Sequence, residues 1–202
     1  MTHKVGVARR GPETREAPVQ SVGSHGPASP QTARIGADDG PIEIVDYDPR
    51  WPTLYVAERE RLSPLLPGVA IHHIGSSAVN GLAGKAVIDM IALVDDLDAS
   101  SEIVMREAGY ELPERFNVGL VHRRFLCYPT ATYRTHHLHL VDEHEGIDQC
   151  VRFRDTLRAN PQLAADYVSL KRALAVRFGE DRAGYTKAKS RFINEAASNG
   201  SR

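Results

Sequence analysis

The pattern of apolar positions predicts four strands in the middle of the chain. Segments rich in apolar residues at 69–74 and 86–94 indicate two strands, and the second is nearly all apolar, as in strands buried on both faces. Runs over residues 121–128 and 133–141 indicate two more strands, separated near Pro129. The short separation predicts that these two form a hairpin.

Helical spacing of apolar residues predicts five helices. The first ends at Pro64, and the second is capped by Asp98 and runs to Gly109. The other three follow the last strand and cover residues 146–159, 161–178 and 182–197. Strands that precede helices in this way are typical of an α+β domain, here with a mixed β-sheet, flanking helices and a C-terminal helical segment.

The first 40 residues differ from the rest in composition. Gly, Pro, Ser, Arg and Gln are common there, no apolar period is present, and no residue is aromatic. Such a segment buries too little apolar surface to offset the entropy lost on ordering. We therefore predict a disordered tail over residues 1–40 and a single domain over residues 41–198.

The overall composition excludes several classes of function. The 202 residues are 42% hydrophobic and 25% charged, with a net charge of -1, so neither nucleic acid nor a membrane is an expected partner. Cys127 and Cys150 lie far apart and predict neither a disulfide nor a zinc site. Without an apolar span or a signal-like leader, the expected location is the cytoplasm. Nothing in the sequence indicates an oligomeric state.

A glycine and two serines follow the first predicted core strand. Gly75 allows close approach of the backbone to a ligand, and the hydroxyl groups of Ser76 and Ser77 can donate hydrogen bonds to phosphate oxygens. An ordinary turn explains the same residues equally simply. The phosphate-binding hypothesis therefore depends on what lies nearby.

Asp89 is an acidic residue in an otherwise apolar strand. An ionised carboxylate is costly there unless it is paired or bound to a cation, which indicates a functional site. The structural alternative is a carboxylate that caps a backbone group or pairs with an arginine. If the charge is buried and unpaired, Asp89→Asn leaves the melting temperature unchanged or raised.

Two histidines alternate with leucines on the last predicted strand. His137 and His139 therefore share one face and are expected to enter the same pocket. An imidazole there can act as a general base, as a metal ligand or as a donor to phosphate. A polar sheet face in contact with solvent is the alternative.

Several cationic residues are candidates for holding phosphate. Lys85 follows the serine turn, and Arg154 has a guanidinium suited to bidentate binding. Arg123 and Arg124 lie at the start of a predicted strand, and of these two we assign Arg124 to the site. On the last two helices the spacing Tyr-x-x-x-Lys places each tyrosine and lysine on one face. These pairs are Tyr167 with Lys171 and Tyr185 with Lys189. Packing of tyrosine over a lysine stem, or an ion pair for Arg154, is the structural alternative.

The same residues resemble the signature of the GrpB family. The similar segment is HIGSSAVNGLAGKAVID at residues 73–89. Four more segments resemble the family in the same order: YDPRW at 47–51, HLHL at 137–140, FRD at 153–155 and YTKAK at 185–189. The resemblance covers residues 42–197.

The resemblance implies a nucleotidyltransferase-like fold with a Gly-Ser turn followed by a metal-binding aspartate on the next strand, here Asp89. In the wider nucleotidyltransferase pattern a second carboxylate lies two residues further along, where this chain has Ile91. That departure puts a two-metal site in question. Asp89 alone can hold one magnesium ion together with ligand phosphates and water.

We therefore predict an enzyme that uses a nucleoside triphosphate such as ATP and a divalent metal, magnesium or manganese, to transfer a nucleotidyl group to a small-molecule acceptor or to activate it. An ATP-dependent ligase that forms an amide or ester, and a non-catalytic nucleotide-binding module, are the alternatives. The predicted catalytic residues are Asp89, His137 and His139, with Asp89 and His139 as metal ligands. The predicted nucleotide-binding residues are Gly75, Ser76, Ser77, Lys85, Arg124, Arg154, Lys171, Tyr185 and Lys189.

Overall fold

The structure is a computed structural model that describes residues 1–3 and 35–199. The strands in this part of the chain are Ala37–Asp38 (β1), Ile71–Ile74 (β2), Ile88–Leu93 (β3), Arg123–Pro129 (β4) and Tyr133–Val141 (β5). The α-helices there are Trp51–Leu62 (α1), Leu97–Ala108 (α2), Glu114–Asn117 (α3), His144–Ala159 (α4), Pro161–Phe178 (α5) and Arg182–Asn199 (α6). A 3-10 turn, Ser76–Ala78, follows β2.

The strands form one mixed sheet with β5 at its centre. β5 pairs in parallel with β3 and antiparallel with β4 and β1, while β2 pairs antiparallel with β3. The predicted hairpin of β4 and β5 and the predicted α+β class with a mixed sheet are confirmed. The register of β3 on β5 sets Asp89 opposite His137 and Ile91 opposite His139.

Alternation along the strands divides the sheet into two faces. One face, with Ile88, Met90 and Leu138, packs against α1 and α2 in the main hydrophobic core. The other face has Ile91 and Val141 under α4 in a smaller apolar cluster. α5 and α6 pack on α4 and on each other. Because Asp89 and Ile91 are two residues apart, Asp89 lies on the face that α4 covers.

Some predicted boundaries differ from the structure. α1 begins at Trp51, whose side chain is buried, and Pro52 occupies the first turn, where a missing N–H costs no hydrogen bond. Asp96, not Asp98, caps α2, because its side chain accepts hydrogen bonds from the backbone amides of Asp98 and Ala99, both at 2.9 Å. α2 ends as predicted before Gly109, which has a left-handed conformation.

The prediction of a disordered tail falls mostly on residues 4–34, which lie outside the described residues. Residues 35–40, also assigned to the tail, are bound to the domain. Ala37 and Asp38 pair with β5, and the amide of Gly36 donates to the carbonyl of Ala86 at 2.8 Å. None of the helices within residues 35–199 is long and apolar enough to cross a membrane. The cytoplasmic location stays a prediction.

Candidate functional site

A cavity of about 380 Å³ opens beside Asp89, between the sheet and helices α4, α5 and α6. We call it the Asp89 cavity. The part of its wall nearest the sheet includes one carboxylate, four cationic side chains, a histidine and the first serine of the turn. These residues are Ser76, Lys85, Asp89, Arg123, His139, Lys171 and Lys189.

The turn after β2 lies directly against Asp89. Antiparallel pairing sets Ile74 opposite Asp89, so the next residue, Gly75, reaches the carboxylate. Gly75 has φ 69° and ψ -167°, a backbone conformation that essentially only glycine adopts. A Cβ atom there would lie 2.6 Å from Oδ2 of Asp89. Backbone conformation and lack of space therefore both require glycine.

The two serines of the turn face different ways. Ser76 lines the cavity, and its hydroxyl accepts a hydrogen bond from Nζ of Lys171 at 2.8 Å. Ser77 is 2% exposed and lies 3.1 Å from Nε2 of His73, so it stabilises the turn from within. Arg154 supports the same segment, because its Nη1 donates to the carbonyl of His73 at 2.9 Å. The structure thus brings Ser76 to the cavity, but not Ser77 or Arg154.

Asp89 is paired with a histidine. Nδ1 of His137 donates to Oδ1 of Asp89 at 2.7 Å. Burial opposes ionisation, but the hydrogen bond from His137 and the positive charge of Lys189 lower the pKa of Asp89 to about 2. The carboxylate is therefore ionised at neutral pH. The premise of an unpaired charge is wrong.

His137 does not line the cavity, contrary to the expectation that both histidines enter it. Its Nδ1 is bonded to Asp89, and its Nε2 is buried without a hydrogen-bond partner among the described residues. Its position suits it to orient the Asp89 carboxylate. For His137 to contact a ligand in the cavity directly, its side chain would have to leave Asp89.

His139 does line the cavity, beside an arginine. Nε of Arg123 donates to Nδ1 of His139 at 3.1 Å. Because a guanidinium can only donate, Nδ1 has no proton, and the neutral ring has its proton on Nε2. Burial, together with the charge of Arg123, holds the pKa of His139 well below its usual value. His139 is therefore a neutral hydrogen-bond donor through Nε2 rather than a general base.

Three lysines supply most of the positive charge of the cavity. The ammonium groups of Lys85 and Lys189 lie 4.8 and 4.4 Å from the centre of the Tyr185 ring, and that of Lys171 lies 4.6 Å from the centre of the Tyr167 ring. None of the three lysines has an ion-pair partner among residues 35–199.

Burial and repulsion between these lysines lower their affinity for protons. Burial, with the charge of Lys189 next, lowers the pKa values of Lys85 and Lys171 to about 7. Burial also lowers the pKa of Lys189. A cluster of this kind gains charge stabilisation when an anion enters the cavity.

Arg124 lies on the other side of its strand from the cavity. Its guanidinium forms an ion pair with Asp98 at 2.9 Å, near the start of α2. The preceding residue, Arg123, lines the cavity instead, because successive residues of a strand point to opposite faces. The assignment of Arg124 to the site is therefore corrected to Arg123.

Comparison with known proteins gives the family of the chain. The GrpB family model, described as "GrpB protein", matches residues 41–199. The chain belongs to the GrpB family. The family resemblance of the sequence motifs is thereby confirmed.

Two curated relatives and one solved structure illustrate the similarity. A UPF0157 protein of Pseudomonas aeruginosa is 35% identical over 178 residues, which is 82% of this chain and 73% of that protein. The UPF0157 protein YqkA of Bacillus subtilis is 34% identical over 166 residues, which is 80% of this chain. This chain spans 48% of the length of YqkA. The crystal structure of GrpB from Enterococcus faecalis matches with a TM-score of 0.67 and 30% identity, over 78% of this chain and 96% of that one.

The donor groups of this GrpB protein do not fit a metal ion held by the protein alone. Among the described residues, no group of three or more His, Cys, Asp or Glu side chains is placed to hold a metal. Asp89 has one oxygen, Oδ2, left beside its bond to His137, and Nδ1 of His139 is bonded to Arg123. Magnesium needs about six oxygen ligands, so most would have to come from a ligand and water.

Several cavity residues had no distinct signal in the sequence. Gln149 and Cys150 on α4, and Ser190 and Asn194 on α6, complete the more exposed part of the wall. Nε2 of Gln149 donates to Oδ1 of Asn194 at 2.9 Å, which links the two helices. Helical spacing of three or four residues from Lys189 indicates Phe192 and Ile193 instead of these two α6 residues. Nothing in the sequence singled out Gln149.

Proposed function

We propose that the Asp89 cavity binds a nucleoside triphosphate and that this GrpB protein is a nucleotidyltransferase-like enzyme acting on a small-molecule acceptor. The observation that supports the proposal is the group of unpaired lysines around a glycine turn and an ionised aspartate. Lysine ammonium groups and glycine turns that offer backbone N–H groups recur where proteins hold phosphate chains. The nucleotidyltransferase-like fold is part of the same proposal.

Four cavity residues have distinct proposed tasks. Lys171, bonded to Ser76, and Lys189 hold the phosphate chain against the Gly75 turn. His139 donates from Nε2 to a phosphate oxygen, with Arg123 fixing its tautomer. Together these groups bind, orient and neutralise the triphosphate.

The reaction forms a bond from an acceptor oxygen or nitrogen to the α-phosphorus while the bond to the β-phosphate breaks. Pyrophosphate leaves, and the proton of the acceptor passes to solvent. Catalysis comes mainly from positioning and from fixed positive charge around the developing negative charge. A magnesium or manganese ion that enters with the triphosphate would meet Oδ2 of Asp89 and add to that charge.

A pyrophosphate-release screen tests the proposal. ATP, CTP and GTP are incubated with magnesium or manganese and a panel of hydroxyl, amine and carboxylate acceptors. We expect release with one nucleotide and acceptor class, lost in Asp89→Asn and retained in Asp148→Asn, which changes an exposed carboxylate of α4. Equal release by Asp89→Asn and the wild type would contradict the proposal. An amide or ester product that joins two acceptors would identify the ligase instead.

A nucleotide-binding module without turnover is the second candidate. Ile91 favours it, since this residue occupies the place of the second carboxylate and is fully buried in an apolar cluster. Tight nucleotide binding by calorimetry, with no pyrophosphate release from any acceptor, would support the module over the enzyme.

A further inference from the structure

The Asp89 cavity has far more positive than negative charge. Its cationic groups are Lys85, Lys171, Lys189 and Arg123, and its one carboxylate is Asp89. Four cations minus one anion leave three positive charges when all are protonated. A chain of three phosphates has a negative charge of roughly that size, so it can neutralise the cavity without help.

The place where a second carboxylate would hold a metal is closed. Ile91 is 0% exposed and packs with Ile74, Val141 and Ile147. On the neighbouring strand, His139 faces the cavity, and its Nδ1 accepts a hydrogen bond from the guanidinium of Arg123. The lone pair that Nδ1 would offer to a metal is therefore already used. The chemistry of this wall favours anions over cations.

The lysine ammonium groups are held in place before any ligand arrives. The ammonium groups of Lys85 and Lys189 both lie against the Tyr185 ring. That of Lys171 donates both to Ser76 and to the carbonyl of Ala83. Groups that are already oriented lose little entropy when they bind an anion. They can therefore act on phosphates as bound metal ions do elsewhere.

We propose that the cavity holds the triphosphate chain with its own lysines and arginine in place of metal ions, so that triphosphate binding needs no divalent cation. This inference rests on the proposed triphosphate ligand and concerns how that ligand is held. It concerns the binding step and not the transfer step.

Calorimetry with inorganic tripolyphosphate and with ATP tests the inference, each in EDTA and in excess magnesium. We expect both probes to bind in EDTA, at least as tightly as in magnesium, because magnesium masks phosphate charge in solution. Binding should weaken as potassium chloride is raised, since the contacts are electrostatic.

Two lysines on the same helix give a matched pair of variants. Lys189→Met is expected to weaken tripolyphosphate binding about tenfold or more, the effect of losing one charged hydrogen bond. Lys187→Met, an exposed site two residues away, is expected to leave binding unchanged. Thermal melting of both variants confirms that each is folded.

The outcomes separate the inference from the proposed function. Binding that appears only with magnesium overturns the inference and leaves the proposed function standing. Failure of both probes to bind in either buffer overturns both. Equal weakening by Lys187→Met and Lys189→Met would show general charge attraction and also overturn the inference.

Discussion

Raising the pH from 7 to 8 is expected to stabilise the protein against unfolding. The folded state lowers the pKa values of Lys85 and Lys171 to about 7, from a usual value of 10.5, because both are buried near other cations. Above pH 7 the unfolded chain therefore binds more protons than the folded chain. Stability rises with pH wherever that is so, and it is lost as the pH falls through the folded pKa.

The size of the effect follows from the two pKa values. Over this interval the unfolded chain keeps both lysines protonated, while the folded chain goes from about half to about one-tenth protonated at each. Linkage gives about 1 kcal/mol for each lysine, or about 2 kcal/mol together. For a chain of this length the melting temperature should rise by about 4–8 °C.

Urea unfolding at pH 7.0, 7.5 and 8.0 measures this change. The interval lies above the usual histidine pKa of 6.5 and below the usual thiol pKa of 9.0, so those groups contribute little. Lys171→Met should roughly halve the dependence on pH, whereas Lys187→Met should keep it. A wild-type stability that is flat or falls between pH 7 and 8 would show that these lysines keep their usual pKa in the folded protein. An unchanged slope in Lys171→Met would show that Lys171 does not contribute to the pH dependence.

Three further substitutions test the site. Asp89→Asn is expected to lower stability by about 1–3 kcal/mol in urea unfolding, because its histidine partner and the nearby cations lose their counter-charge; a raised stability would contradict this. Gly75→Ala should lower the free energy of unfolding more than Gly68→Ala does. Both glycines have positive φ, but only at Gly75 would the new methyl group meet the Asp89 carboxylate. Equal losses of stability would show that the Asp89 side chain moves aside without cost. Arg123→Gln should weaken ATP binding in calorimetry while Arg124→Gln leaves it intact, and the reverse result would restore the original assignment.

The sequence predicted the fold well where local signals were strong. The strand 133–141 and the helix 161–178 have their predicted limits, because an alternating pattern and an Asn-Pro start are local features. β1 and α3 were not predicted, since each has only a few residues and β1 exists through its pairing with β5. Tertiary contacts define such short elements.

The sequence predicted which site residues share one face of a strand, but not which residues of other strands they contact. The alternation rule placed His137 and His139 on one face correctly, yet their tasks depend on neighbours from other strands, Asp89 and Arg123. For the same reason, the effect expected of Asp89→Asn changes from unchanged or raised stability to lowered stability, since His137, 48 residues away, pairs with the charge. Arg123 and Arg124 differ only in which face of β4 they occupy, and the arginine pair itself does not indicate that face.

A crystal structure of the protein with a non-hydrolysable ATP analogue shows whether the Asp89 cavity binds the triphosphate chain. We expect phosphate density against the Gly75 turn, within hydrogen-bond distance of the ammonium groups of Lys171 and Lys189. An analogue bound elsewhere, with those two lysines still facing an empty cavity, would contradict this expectation.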